Sequence, residues 1–249
     1  TLKQRGFDVV VFDKRDEIGG NLHVAKKPPF KGKFEWAIDY YKSMAKKLNI
    51  TMKLGKEVTA QEVLALKPHS ILVATVISIP LEGLDQVQTV QAHDVLANDM
   101  QFANKKVVVI GGGITGLETA LYINRQGTNQ VSVVDMLPEW PVDMLDMRYQ
   151  NEALLEVRHC NDQGVALFYN NKVVKFADGK LFIESTKDGE VKELPADVIV
   201  LSVGVKPNDA LWQELLASGH PSVWKAGDAI ATGKINKAVL HGSKFGYSL

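Results

Sequence analysis

The sequence predicts an α/β protein, and three observations carry that expectation. Residues 107–135 read VVVIGGGITGLETALYINRQGTNQVSVVD: a β-branched run, a glycine cluster, a helical stretch, a second β-branched run and a terminal acid. Residues 2–13, LKQRGFDVVVFD, repeat the last part of that pattern. Between Val165 and Leu194, short β-rich runs are punctuated by Asp178-Gly179 and Asp188-Gly189, dipeptides that favour tight hairpin turns. Two Rossmann-like βαβ domains, one inserted in the other, together with an antiparallel β-meander, satisfy all three.

The stretch at 107–135 is the complete unit. Val107 to Ile110 runs into Gly111-Gly112-Gly113-Ile114-Thr115-Gly116, a G-x-G-x-x-G spacing. In a dinucleotide-binding unit the first glycine makes the tight turn, the second lets the backbone approach a pyrophosphate, and the third lets the helix pack close to the sheet. Ile114 and Thr115 then open the helix, whose N-terminal N–H groups and dipole favour phosphate. Asp135 stands nineteen residues past Gly116, placed to accept hydrogen bonds from an adenosine ribose. A 2′-phosphate would meet this carboxylate, and no arginine follows it (Met136, Leu137, Pro138). The unit therefore points to NAD(H) rather than NADP(H). A glycine-rich turn without a ligand is the plainer reading, and the two strands, helix and acid together weigh against it.

Residues 2–13 match residues 123–135: a helix end, a glycine after it (Gly6, Gly127), a β-branched strand and a terminal aspartate (Asp13, Asp135). By this spacing the strand and glycine loop of that other unit are expected upstream of Thr1, in a longer polypeptide. Asp16-Glu-Ile-Gly-Gly-Asn-Leu22 follows the strand, and its paired glycines allow close backbone approach.

The remaining elements follow in order. Residues 33–48 place Phe34, Ala37, Ile38, Tyr41, Ala45 and Leu48 on one helical face, with Lys42, Lys46 and Lys47 elsewhere. Residues 50–54 read as a strand, and Thr59 with Glu62 has capping-box spacing for a short helix to Leu66. Residues 70–74 are a buried-type strand, and 80–101 read as loop and short helix. A Trp-, Pro- and Met-rich loop after Asp135 precedes a helix at 148–158, followed by β runs at 165–169, 172–176, 180–184 and 191–194. Residues 197–203 form a continuous apolar run, as suits a strand buried on both faces. A strand at 223–224 leads to Gly227-Asp228 and a final helix at 237–247. The expected organisation is an inner domain, 103–206, inserted in an outer one made of 1–102 and 207–249.

Composition narrows the function. Lys+Arg and Asp+Glu are 29 each, for a net charge of zero, so no polyanion-binding surface is indicated and nucleic acid is not an expected partner. No apolar run approaches the roughly 20 residues needed to span a bilayer, and no signal peptide is evident, so no membrane partner and a cytoplasmic location are expected. Cys160 is the only cysteine. It leaves no intramolecular disulfide, no C-x-x-C redox pair and no cysteine-ligated cluster within these residues. The six histidines are scattered without metal-ligand spacing, and no metal site or catalytic triad is expected.

The assembled pattern resembles the flavoprotein oxidoreductases with two dinucleotide-binding domains. It is most similar to the C-terminal half of the NADH:flavin oxidoreductase family that includes 2,4-dienoyl-CoA reductase and trimethylamine dehydrogenase. The segments that carry the resemblance are Gly19-Gly-Asn-Leu22, Pro28-Pro29 with Asp39-Tyr-Tyr41, Leu54-Gly-Lys-Glu-Val58, the central glycine motif, Val203-Gly-Val-Lys-Pro-Asn208 and Ala226-Gly-Asp-Ala229. The resemblance implies FAD on the outer domain, with Asp13 on its ribose and Gly19, Gly20, Asn21 and Leu22 beside the isoalloxazine. It also places Asp228, after Gly227, near the ribityl or pyrophosphate, with Lys14, Ala74 and Thr75 in the same cofactor-binding set. It implies NADH on the inner domain, at Gly111, Gly113, Ile114, Thr115, Gly116 and Asp135, with Gly204 toward the nicotinamide. An upstream barrel domain of the same polypeptide would carry FMN and a 4Fe-4S cluster. Hydride chemistry belongs to the cofactors, so no catalytic side chain is assigned. Two departures stand out: the first glycine loop is missing, and Ala74-Thr-Val-Ile-Ser-Ile-Pro80 has Val76 where the family pattern has glycine. The alternative is a non-catalytic, ADP-binding structural module, as in trimethylamine dehydrogenase-like relatives. For Asp228 the plainer alternative is a turn or helix cap.

Overall fold

The computed structural model describes residues 1–138 and 150–249. A short 3-10 helix, Lys3–Arg5, ends at Gly6, whose φ of +94° suits glycine, and leads into β1 (Val10–Phe12). A short helix α1 (Leu22–Ala25) precedes α2 (Phe34–Lys47), the expected amphipathic helix, which buries Ile38 and Ala45 while Tyr41 stays exposed. Strand β2 (Thr51–Lys53) leads to α3 (Ala60–Ala65), where Thr59 and Glu62 form the expected capping box. Next come β3 (Ile71–Val73), β4 (Val76–Ser78), β5 (Gln88–Gln91) and α4 (Ala92–Ala97). The glycine motif joins β6 (Lys106–Ile110) to α5 (Ile114–Asn124), and β7 (Gln130–Val134) follows. Helix α6 spans Gln150–Asp162; the expected start of this helix at 148 and most of the Trp-, Pro- and Met-rich loop lie outside the described residues.

Strand β8 (Ala166–Phe168) precedes the meander of β9 (Asn171–Ala177), β10 (Lys180–Ser185) and β11 (Val191–Pro195). Asp178 and Gly179 both take positive φ, +52° and +72°, in the β9–β10 turn, which matches the twist of a two-residue hairpin. The chain closes with β12 (Val198–Leu201), β13 (Val205–Pro207), α7 (Ala210–Ala217), β14 (Val223–Lys225) and α8 (Ile235–Ser248).

These elements form two compact units. The first comprises Thr1–Leu22, Phe34–Ile79 and Val205–Leu249; the second comprises His23–Lys33 and Pro80–Gly204. Residues 80–101 thus join the second unit, because β5 forms a parallel ladder with β12, Val198 opposite Gln88 through Leu201 opposite Gln91.

The second unit holds a five-stranded, all-parallel sheet in the order β5-β12-β6-β7-β8. Its central strands β12, β6 and β7 are largely buried, while the edge strands β5 and β8 are partly exposed. Val107 and Val109 of β6 pack with Leu117 and Leu121 of α5, and Val108 and Ile110 pack with Leu181 and Ile183 of the meander. This double burial explains why the strand sequences are continuous apolar runs rather than alternating ones.

In the first unit, among the described residues, β1 pairs with β2 and β3 with β14, both in parallel; β4 and β13 form an antiparallel ribbon. A small core of Ala60, Ile71, Val73 and Leu215 holds α3 and α7 against β3.

Candidate functional site

In the second unit, the glycine motif is folded by contacts that only glycine permits. Gly111 leaves β6 with φ +108°, and a Cβ there would stand 2.4 Å from the Ser202 carbonyl oxygen. Its N–H donates to the Val134 carbonyl at 2.8 Å, which seats the turn on the end of β7. A Cβ on Gly116 would lie 1.9 Å from the Gly111 carbonyl oxygen and 3.3 Å from Ser202 Oγ. The first turn of α5 therefore crosses its own loop at backbone distance. Gly113 is the N-cap and supplies no side chain to close over the helix start; Ile114 is buried and Thr115 exposed.

Asp135 sits at the C-terminal end of β7 and binds this loop directly. Its Oδ2 accepts the Gly112 N–H at 2.5 Å, and its Oδ1 accepts the Leu137 N–H at 2.8 Å. Both carboxyl oxygens of Asp135 thus act as acceptors toward backbone N–H groups. Each oxygen keeps a further lone pair for a ligand hydroxyl. Gly204 lies just beyond β12, exposed and with φ +98°.

Three residues of this cradle escaped the sequence reading as individuals. Gly112 donates to Asp135, and a Cβ on it would come 2.8 Å from the Tyr169 ring and 3.1 Å from Asp135 Cβ. The run of three glycines is the signal that could have marked it. Ser202 and Tyr169 reach the loop through tertiary packing, with no local sequence signal.

Behind the loop, the same unit carries an ionic cluster. Glu118 of α5 is almost fully buried and lies 2.8 Å from Lys31 Nζ, which also contacts Glu152. Burial pushes the Glu118 carboxyl above its ordinary range, against the pull of Lys31, and burial likewise raises Glu156. Burial favours neutral Lys31, but its bonds to Glu118 and Glu152 leave it more basic than usual. Cys160 is buried, donates to the Leu117 carbonyl at 3.8 Å, and has its thiol pushed up to about 12, chiefly by burial. It is a packing residue at neutral pH. Among the described residues no cluster of His, Cys, Asp or Glu could hold a metal ion, and no helix is long and apolar enough to cross a membrane.

The first unit gathers the other candidates at strand ends. Asp13 follows β1, and its Oδ1 accepts the Arg15 N–H at 3.0 Å, the same i to i+2 turn that Asp135 makes with Leu137. Lys14 beside it is exposed. Gly19 and Gly20 have φ of +129° and +51°, and the Leu22 N–H donates to the Gly19 carbonyl, folding Gly19-Gly20-Asn21-Leu22 into a tight turn before α1. Asn21 Oδ1 accepts from Arg15 at 3.1 Å.

The β3–β14 ladder puts Ala74 beside Ala226 and Gly227 at its C-terminal end. Thr75 is tied to Asn208 twice, through its hydroxyl at 2.8 Å and its carbonyl at 3.2 Å. Val76, the departure from the family pattern, is a ladder residue of β4 opposite Pro207. Asp228 Oδ1 accepts the Gly233 N–H at 2.9 Å, so it closes the 228–233 turn. The carboxyl ends of parallel strands, where these residues stand, are where open α/β sheets bind ligands.

This chain is similar to the NADH oxidase of Thermoanaerobacter brockii, 29% identical over 260 residues that cover all of this chain and 38% of that one. It is 33% identical over 207 residues to the bilirubin reductase of Mediterraneibacter gnavus, covering 82% of this chain and 31% of that protein. It thus spans less than two fifths of the length of these relatives. A 2-naphthoyl-CoA reductase, solved with 2-naphthoyl-CoA, superposes over all of this chain and 37% of its own, with a TM-score of 0.88 at 26% identity. Thioredoxin reductase of T. acidophilum shares the fold, with a TM-score of 0.69 at 18% identity over 91% of its chain. These similarities bear out the resemblance to NADH:flavin oxidoreductases. With residues 1–239 matched by its model, this chain belongs to the pyridine nucleotide-disulphide oxidoreductase family.

Proposed function

We propose that these residues are the pyridine-nucleotide-dependent module of a longer NADH:flavin oxidoreductase, in which hydride passes from NADH to FAD. The observation that carries this reading is the glycine loop closed onto Asp135, a cradle whose Gly111, Gly112 and Gly116 leave no room for side chains. When bound, NADH supplies the hydride and FAD accepts it. The chain's own part is to bind and orient. Gly113, Ile114 and Thr115 would hold the NADH pyrophosphate at the start of α5. Asp135, already fixed as an acceptor by two backbone N–H groups, would take the adenosine ribose hydroxyls and repel a 2′-phosphate. Gly204 would lie toward the nicotinamide.

In the first unit Asp13 would hold the FAD ribose, with Lys14, Gly19, Gly20, Asn21, Leu22, Ala74, Thr75, Gly227 and Asp228 completing that site. The positive φ values at Gly19, Gly20 and Gly227 support close backbone approach there. The domain assignment follows: FAD with the outer residues, NADH with the inner ones. The reading includes an upstream FMN barrel with a 4Fe-4S cluster, in keeping with relatives more than twice this length, and a cytoplasmic setting.

The test uses the longer polypeptide, mixed anaerobically with NADH while flavin absorbance is followed. Bleaching is expected; a bound flavin that NADH leaves oxidised overturns the proposal in favour of a structural ADP-binding module, the reading that Val76 in its β-ladder favours. Asp135→Ser combined with Met136→Arg should move preference toward NADPH, and unchanged selectivity would remove Asp135 from the ribose site.

A further inference from the structure

We propose that His241 is a positioning residue for the candidate flavin site: it fixes the Gly227-Asp228 turn from which Asp228 would reach FAD. The inference rests on the reading of Asp228 as a flavin-binding residue. It starts at the end of β14. There the Ala226 N–H donates to the Val73 carbonyl at 3.0 Å, so Ala226 still faces β3. Ala226 is extended, with φ −142° and ψ 158°, and in extended backbone successive N–H groups point to opposite sides. The Gly227 N–H therefore turns away from that ladder. Gly227 is buried, and a buried N–H without an acceptor is strongly disfavoured. The acceptor comes from a helix side chain: His241 Nδ1 of α8 takes this N–H at 3.1 Å.

The helix is seated for this contact along one face. Ala238, His241 and Phe245 follow an i, i+3, i+7 spacing, which is one side of a helix. Phe245 is buried, and its ring centroid lies 6.0 Å from that of Trp224 on β14. Ala238 meets the turn itself, since a Cβ on Gly227 would stand 3.4 Å from Ala238 Cβ. His241 lies between these two contacts. Gly227 takes φ +60°, and its carbonyl accepts the Ile230 N–H at 3.0 Å. Asp228 Oδ1 accepts the Gly233 N–H at 2.9 Å. The turn that carries Asp228 is thus closed locally on one side, and on the other by a bond from a residue fourteen positions away.

Rotation of the peptide between Ala226 and Gly227 would swing Asp228 with it, and the His241 bond opposes that rotation. The role is one of geometry, exerted through Gly227 and Asp228 on a ligand hydroxyl at the other Asp228 oxygen. It also sets which side chains can serve. In histidine Nδ1 is two bonds from Cβ, and in asparagine Oδ1 is at the same separation, so asparagine can offer an acceptor in nearly the same place. Leucine approaches the bulk of the ring and offers no acceptor.

The experiment uses the longer polypeptide, stripped of flavin and titrated with FAD while the quenching of flavin fluorescence is followed. His241→Leu should bind FAD about tenfold more weakly, the worth of one net hydrogen bond, and His241→Asn should stay within about threefold of the parent. Hydrogen exchange read by mass spectrometry without FAD, on a peptide spanning 226–233, should quicken about tenfold in His241→Leu and return to the parent rate in His241→Asn. His241→Ala also lacks the acceptor, and takes the place of a leucine variant that does not fold. Equal losses in His241→Leu and His241→Asn would show that the ring's bulk matters rather than its acceptor, and would overturn the proposal. Asp228→Ala separates the inference from the reading beneath it. If Asp228→Ala weakens FAD binding while folded His241→Leu binds like the parent, the positioning role is overturned and the Asp228 reading stands. If Asp228→Ala binds FAD like the parent, that reading fails and takes the proposal with it.

Discussion

Gly116→Ala is the sharpest test of the nucleotide cradle. The new methyl would stand 1.9 Å from the Gly111 carbonyl oxygen and 3.0 Å from its carbon. Contact without overlap requires the helix start and loop to separate by roughly 1.3 Å. Neither side can yield cheaply. Gly111 is held by its N–H bond to Val134 and by the Ser202 backbone, while Leu117, Ala120 and Leu121 fix α5 in the core. Overpacking of this kind costs up to about 3 kcal/mol or somewhat more, and the better helix propensity of alanine returns about 1, leaving a net loss of about 2 kcal/mol. Urea unfolding followed by circular dichroism measures it, with Thr115→Ala as the exposed neighbour expected to stay within about 0.5 kcal/mol. The displaced loop should also weaken NADH binding about tenfold or more, since a phosphate site depends on backbone N–H positions. A Gly116→Ala protein as stable as the parent, with the same NADH affinity, would refute the argument that backbone proximity builds the site.

The ionic cluster behind the loop gives a pH-dependent prediction. Burial raises the Glu118 carboxyl, so the native state holds its proton at pH values where the unfolded chain, near 4.5, has released it. The stability this gives is complete below the unfolded value and fades as pH rises through the native one. Lys31→Met should therefore destabilise the protein by about 2–3 kcal/mol at pH 7, discounted for the partly exposed Glu152, with much of that loss recovered as pH falls toward 5. Denaturant midpoints at the two pH values check it, and an equal loss at both would show that Glu118 carries no buried charge. Cys160, its thiol pushed up to about 12, should resist iodoacetamide in the native protein and react on unfolding; rapid native alkylation, read by mass spectrometry, would contradict its burial.

Much of the fold was legible because burial on two faces writes itself into the sequence. VVVI at β6 and VIVL at β12 are continuous apolar runs, and each proved to be flanked by strands on both sides. The capping box at Thr59 was equally local, a spacing that a helix start enforces. Strands β4, β5 and β13 were not legible. They are three or four residues long, and Gln88–Gln91 is polar at both ends, so no period-2 pattern can form. They exist because β12 and the 205–207 segment offer ladders to them from more than a hundred residues away. That pairing also moves residues 80–101 into the second unit, which a reading by sequence position placed in the outer domain.

The candidate site divides along the same line, between what a backbone requires and what a neighbour supplies. Gly111 and Gly116 were legible because positive φ and backbone contact permit one residue type, so the chemistry is encoded at the position itself. Ser202 and Tyr169 were not, because any residue of suitable size serves at such a contact and the constraint is visible only from the glycine. Asp135 shows both levels. Its position at the strand end could be read from spacing, but its grip on Gly112 needs the folded loop. Asp13 has the first without the second. Because the two aspartates share the same turn, the difference between them isolates what the glycine loop adds at Asp135, a second N–H that fixes the carboxylate.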